Sequence, residues 1–266
     1  MRRGPIKQRL ITALIALPVV LLLIFACDTV WFTLALCGVC GIALWEFYRM
    51  VLDDSRFIEQ VVATTGGIVF LAVSSYWPNH GQHVLAVFFM VFSLIFLARY
   101  QDLFRVVLEL GLIVVGWLYI PLLISYFAAL HDLEHGHLWV LLVLMMTMVC
   151  DSCAYFVGTA VGRHRLYPQI SPKKSIEGAL GGFVGSILSA MVVIPWLIPD
   201  TSVASAVVVG AVVGVFGQLG DLFESMVKRS AEVKDSGTLF PGHGGMLDRL
   251  DSLLFAFPCV YFCLLW

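Results

Sequence analysis

The sequence predicts an all-α polytopic integral membrane protein of about nine transmembrane helices, with its N-terminus in the cytoplasm. Three observations predict it. The 266-residue chain is 60% hydrophobic and only 13% charged, with a mean hydropathy of +0.94, whereas a soluble domain carries roughly 45–50% apolar and about 25% charged residues. The apolar residues fall into long uninterrupted runs. Every Lys and Arg lies in the gaps on one side of those runs. The same figures exclude a disordered chain, a collagen, a small disulfide scaffold and a basic nucleic-acid-binding domain. The net charge of −2 says little; its distribution carries the information.

The runs lie at about 10–27, 30–48, 60–77, 83–98, 106–130, 138–158, 178–198, 203–223 and 251–266. A helix needs about 20 apolar residues to cross the hydrocarbon, and runs this long in lipid satisfy their backbone only as helices. The fourth run is short, and the second and third contain Gly, so eight spans is the alternative count. The 16 basic residues divide among five gaps. Arg2, Arg3, Lys7 and Arg9 precede the first run. Arg49 and Arg56 follow the second, and Arg99 and Arg105 follow the fourth. Arg163, Arg165, Lys173 and Lys174 follow the sixth; Lys228, Arg229, Lys234 and Arg249 follow the eighth. The opposite gaps hold Asp28, Asp132, Glu134, Asp200 and five histidines. With a cytoplasmic N-terminus the positive-inside rule is obeyed without exception. The basic start followed by Ala26-Cys27 also fits a lipoprotein signal. The apolar run is long for that, and Phe25 is bulky for the cleavage site, so the first run is read as a retained helix.

Two CxxC spacings, Cys37/Cys40 and Cys150/Cys153, lie inside apolar runs. Zinc or redox chemistry needs polar surroundings and further ligands, so these cysteines are expected to be small packing residues.

Chemistry concentrates in 151–182 and 217–252, which hold eight of the 16 basic and eight of the 18 acidic residues. Residues 1–135 are therefore read as a scaffold of helices with dimer contacts, and 136–266 as the catalytic half. Asp221, Glu224, Ser225 and Lys228 stand at i, i+3, i+4 and i+7, on one helical face. Carboxylates at such a depth need partners. Arg229, Lys234 and Asp235 follow, then the turn Pro241-Gly242-His243-Gly244-Gly245, whose glycines are expected to let backbone amides approach a ligand. Asp248, Arg249 and Asp251 open the last run. Carboxylates among Lys, Arg and a Gly-rich turn suit Mg²⁺ with a polyphosphate, because Mg²⁺ takes one or two carboxylates plus phosphate oxygens and keeps waters. A solvated, salt-bridged loop is the bland alternative. Upstream, Asp151 lies inside an apolar run, where a carboxylate is functional by default; holding a helix contact is its alternative role. Ser171, Lys173, Lys174, Ser175 and Glu177 precede a helix start that favours an anion. Gly178, Gly181, Gly182 and Gly185 have the spacing of close helix packing.

Residues 225–251, SMVKRSAEVKDSGTLFPGHGGMLDRLD, resemble the signature of the phosphatidate cytidylyltransferases, or CDP-diacylglycerol synthases. Every fixed position of that signature is matched, at Ser225, Lys228, Arg229, Lys234, Asp235, Gly237, Pro241, Gly242, His243, Gly244, Gly245, Asp248, Arg249 and Asp251. GQLGDL at 217–222, DxxAYxxG at 151–158 and SPKKSxEG at 171–178 are similar to the family's other blocks. The resemblance implies cytidylyl transfer from CTP to phosphatidic acid, giving CDP-diacylglycerol and pyrophosphate. It also implies dependence on Mg²⁺, with Mn²⁺ as an alternative ion and room for a second cation, and a homodimer in the bacterial cytoplasmic (inner) membrane with the site facing the cytoplasm. Metal ligands are expected at Asp221 and Asp248, with Asp251 and Glu224 as further ligands or supports. Lys228, Arg229, Lys234 and Arg249 are expected on phosphates, His243 on a leaving oxygen, and Lys173, Lys174 and Ser171 around the phosphate pocket. The rivals are a CTP-dependent lipid-alcohol kinase, which would release CDP, and a secondary transporter, which would place polar residues at mid-depth in two matching halves.

Overall fold

A computed structural model describes residues 6–99, 102–239 and 244–265. The chain is an all-α membrane protein, and among the described residues it has ten α-helices: α1 (Ile6–Ala26), α2 (Thr29–Val51), α3 (Phe57–Tyr76), α4 (Gly81–Arg99), α5 (Val106–Tyr119), α6 (Pro121–His131), α7 (Gly136–Val161), α8 (Ile176–Leu197), α9 (Val203–Ser230) and α10 (Leu247–Leu265). A ribbon of two short strands, β1 (Arg165–Tyr167) and β2 (Ser171–Ser175), joins α7 to α8. Among the described residues, seven helical segments are long and apolar enough to cross a membrane: Thr29–Val51, Asp54–Tyr76, Pro78–Arg99, Leu103–His131, Gly136–Val161, Ile176–Leu197 and Val203–Ser230. α1 adds the shorter apolar stretch Leu17–Ala26, and α10 carries Asp248, Arg249 and Asp251 in its first two turns.

Short polar side chains set the helix starts. Asp28 Oδ1 accepts from Trp31 N–H at the head of α2 (3.0 Å), Ser175 Oγ from Gly178 N–H at the head of α8 (3.1 Å), and Ser202 Oγ from Ser205 N–H at the head of α9 (3.0 Å). Each satisfies a donor that the helix itself leaves orphaned. The fifth apolar run, 106–130, is not one regular helix. It breaks at Ile120 between α5 and α6, because Pro121 lacks an N–H and restricts the residue before it. α9 extends two turns past the apolar run, to Ser230, so the charged face from Asp221 to Lys228 is helical.

The chain forms two compact units, residues 1–128 with 235–248, and 129–234 with 249–266. In the first unit α2 packs against α3, and α3 against α4. Its polar centre is a buried ion-pair group. Arg56 is 2% exposed and Glu59 fully buried. The Arg56 guanidinium lies 2.7 Å from Glu109 Oε2 and 3.4 Å from Glu59 Oε1. It also donates to Arg99 O (3.0 Å) and stacks over the Phe96 ring; Arg99 Nε adds a second cation 3.5 Å from Glu59. These basic residues sit in gaps that the sequence presents as ordinary connectors, yet they tie α3, α4 and α5 together.

In the second unit α7 packs along α8, and α8 along α9. The glycine stripe of α8 makes this approach close: a Cβ on Gly182 would stand 2.8 Å from Cys150 O, and one on Gly185 2.5 Å from Cys153 Sγ. All seven cysteines are free. Cys150 and Cys153 are packing residues of α7, as their apolar setting implies.

Removing one member of a buried ion group strands its partners, which typically costs about 3–5 kcal/mol. Arg56→Ala is therefore expected to lower the thermal stability of the detergent-solubilised protein sharply, while Arg105→Ala, whose side chain is 67% exposed beside Asp102, leaves it close to wild type. Thermal denaturation of the two purified variants checks this.

Candidate active site

The second unit holds a cavity of about 580 Å³, lined by Asp151, Arg165, Lys173, Lys174, Gln218 and Asp221 together with Ala154, Tyr155, Gly158 and Ala179. Three elements bring its charged groups together. α7 contributes Asp151, β2 contributes Lys173 and Lys174, and α9 contributes Asp221. Lys174 Nζ stands 2.5 Å from Asp221 Oδ2, and both side chains keep more than a quarter of their surface open. Along α9 the i, i+4 face has the expected pairs. Ser225 Oγ donates to Asp221 Oδ1 (3.4 Å), and Lys228 is paired with the fully buried Glu224. Asp251 of α10 lies within electrostatic range of Asp221, Asp151 and Lys228, and its Oδ1 accepts from Ser252 N–H (2.6 Å). The α9–α10 packing behind it is close: a Cβ on Gly220 would meet Asp251 O, and the Phe223 and Phe255 rings lie 5.7 Å apart.

Other expected binding residues hold the ribbon. Glu177 accepts from Arg163 N–H (3.1 Å) and His164 N–H (3.2 Å) and lies 2.6 Å from His164 Nδ1. Ser175 caps α8. Arg229 donates from Nε to Ile170 O (3.3 Å) and from Nη1 to Val233 O (3.0 Å), clamping the ribbon turn to the end of α9. Ser171 opens β2, half-buried, and Lys234 is exposed. Gln218 was not singled out by sequence, yet its amide donates to Ala179 O (3.1 Å) and Gly214 O (2.6 Å) at the cavity wall.

The first unit contains the glycine-rich segment. Asp248 is 9% exposed, and its Oδ2 accepts from Ser236 N–H (2.9 Å), Ser236 Oγ–H (3.0 Å) and Gly245 N–H (2.8 Å). Gly244 has φ +83°, and a Cβ there would collide with Asp248 Oδ2. The Gly245 amide, expected to face a ligand, is used by Asp248 instead. Glu46 of α2 completes this knot. It accepts from Met246 N–H (3.0 Å) and Leu247 N–H (2.9 Å), and its Oε2 lies 3.1 Å from Ser236 Oγ, whose one proton the two carboxylates share. Glu46 was missed in the sequence, although a carboxylate five residues before the end of an apolar helix is the same signal that picked out Asp151. Asp235 and Arg249 are exposed. Pro241, Gly242 and His243 lie outside the described residues.

The donor set suits a hard divalent cation. Asp221, Asp151 and Asp251 offer carboxylate oxygens, while Cys150 is buried and Cys153 half-buried in the packing of α7 on α8. Among the described residues no three His, Cys, Asp or Glu side chains are grouped closely enough to hold a metal ion by themselves.

The profile of the cytidylyltransferase family matches residues 7–266. The phosphatidate cytidylyltransferase of Bacillus subtilis (strain 168) is 33% identical, over 97% of each chain. That of Thermotoga maritima is 34% identical over 96% of this chain and 95% of its own; that of Haemophilus influenzae is 31% identical over 95% and 96%. The chain thus belongs to the cytidylyltransferase family, as a membrane-embedded nucleotidyltransferase of the phosphatidate cytidylyltransferase type.

Proposed function

We propose that the chain transfers the cytidylyl group of CTP to phosphatidic acid at the cavity beside Asp221, giving CDP-diacylglycerol and pyrophosphate. The observation that carries this is the Lys174–Asp221 pair with Asp151 in one cavity of nucleotide size; ligand pockets typically run to about 300–1,000 Å³. Its lining combines charged side chains with apolar ones, as a phosphate on a lipid and a nucleoside triphosphate together require.

An oxygen of the lipid phosphate attacks the α-phosphorus of CTP. A new P–O bond forms as the α–β bridging bond breaks, and its electron pair leaves with pyrophosphate. The nucleophile is already anionic, so positioning and charge neutralisation supply the catalysis rather than a strong base. Lys173, Lys174 and Arg165 offset charge on the phosphates, and Lys228 and Arg249 extend the basic set. Mg²⁺, held by Asp221 with Asp251 in support, would neutralise the developing charge on the phosphate oxygens. The family resemblance adds Asp248 as a further ligand and His243 as a donor to the leaving group. Glu224 acts by fixing Lys228. Asp151 orients Lys174 and limits its pairing with Asp221.

The reading extends to topology. Nine spans, counting α1, the seven long segments and α10, put all 16 basic residues on the cytoplasmic side, where CTP is found. The site then faces the cytoplasm from the inner membrane. The family resemblance supports a homodimer.

Purified protein supplied with CTP labelled at the α- and γ-phosphates and with phosphatidic acid is expected to yield α-labelled CDP-diacylglycerol and γ-labelled pyrophosphate. Release of CDP would contradict the reaction. Asp221→Asn removes the negative charge while keeping the shape, and is expected to reduce turnover by at least about a thousandfold, the scale of losing one electrostatic stabiliser of a transition state, with insertion and monodispersity unchanged. EDTA is expected to abolish turnover and added Mg²⁺ to restore it; full activity in excess EDTA would exclude the divalent cation.

A further inference from the structure

The geometry points to Glu46 as a positioning residue for the reaction: it fastens Ser236 and the backbone that enters α10 at Met246 and Leu247, and thereby sets the carboxylate of Asp248. The inference rests on the cytidylyltransferase reading above and deepens it.

The residue before α10 is Met246, whose thioether is only a weak acceptor. A helix start leaves backbone N–H groups without intrahelical partners. Here the missing acceptor comes from another helix. Glu46 receives the N–H groups of Met246 and Leu247, one on each carboxylate oxygen (3.0 and 2.9 Å), across some 200 positions of sequence. A negative charge at a helix N-terminus is also favoured by the helix dipole. Ser236 links this cap to Asp248. Its hydroxyl is 3.1 Å from Glu46 Oε2 and 3.0 Å from Asp248 Oδ2, and it also lies 3.3 Å from Asp248 N. The chain closes on these two carboxylates so tightly that a Cβ on Gly237 would stand 2.5 Å from Glu46 Oε1, and a Cβ on Gly245 would collide with Glu46 Oε2 and Ser236 Oγ. Gly237, Gly244 and Gly245 are thus explained by two protein carboxylates. With Oδ2 of Asp248 taking three donors, the orientation of the whole carboxylate is set by Ser236 and Gly245, and both are placed by Glu46.

The test uses the full-length protein in detergent with Glu46→Gln, Glu46→Ala and Ser236→Ala. Two quantities are read: kcat with KM for CTP from pyrophosphate release, and the rate of trypsin cleavage after Arg249, which is exposed in the first turn of α10. Hydrogen bonds to a charged group are worth roughly a tenfold factor or more each, so Glu46→Ala is expected to lower kcat at least about tenfold and to speed cleavage after Arg249 by a similar factor. Glu46→Gln keeps one acceptor oxygen and falls between Ala and wild type in both. Ser236→Ala leaves the cap on Met246 and Leu247 in place, so it lowers kcat without speeding cleavage. This last split is one that a purely structural role would not produce. The proposal is overturned by wild-type kcat in Glu46→Gln and Ser236→Ala, or by faster cleavage in Glu46→Ala with kcat unchanged. Ser236→Ala removes only a hydroxyl, so it decides the matter even where Glu46→Ala does not fold. A wild-type protein that makes no pyrophosphate would overturn the reaction itself, and the cleavage rates would still judge the anchor.

Discussion

A carboxylate near the end of an apolar helix must have a partner, and the answers to that demand organise this protein. Water cannot solvate such a group fully, so each one is met by a cation, a backbone donor or a substrate's counterion. Glu59 and Glu109 are met by Arg56, and this fixes the scaffold. Glu46 and Asp248 are met by N–H and O–H donors, and this fixes the entry into α10. Glu224 is met by Lys228. Asp221 differs. Its partner, Lys174, lies on the ribbon, and the pair remains open to the cavity with Asp151 beside it. An ion pair in which both members stay accessible can exchange its partners for a cation and a phosphate of matching charge. Closed pairs build the frame, and the open pair is the one that the proposed reaction would use to take substrate into the charge balance.

Much of this was legible in the sequence because lipid enforces simple patterns. Long apolar runs had to be helices, and the observed helices follow them to within a few residues. The i, i+3, i+4, i+7 spacing from Asp221 to Lys228 required only that α9 continue past its apolar part, which it does. Ser175 at a helix start and the α8 glycines at packing positions were equally local signals. The resemblance carried by residues 225–251 is the longest signal of all, and the family profile extends it over residues 7–266.

What escaped the sequence was non-local or depended on small backbone choices. The join of Glu46 to Leu247 links positions some 200 residues apart, and no periodicity reports it. For the same reason the grouping of 235–248 with the N-terminal helices has no sequence signature. The glycines at 244 and 245 announce a tight backbone but not what it wraps around. A ligand was the natural expectation, and Asp248 and Glu46 are the finding. Pro121 is visible in the sequence, but its effect, dividing one apolar run into α5 and α6, is outvoted by the length of the run. The three- and five-residue strands of the ribbon lie in a polar segment too short to show alternation.

The central claim is that the Lys174–Asp221 pair opens to receive the triphosphate and its cation. The most direct measurement is an experimental structure of the protein with CTP and Mg²⁺ bound. The account predicts the triphosphate in the Asp151–Lys174–Asp221 cavity, with Lys174 Nζ moved from the Asp221 carboxylate to a phosphate oxygen. A nucleotide bound elsewhere, with Lys174 and Asp221 still 2.5 Å apart, would contradict it.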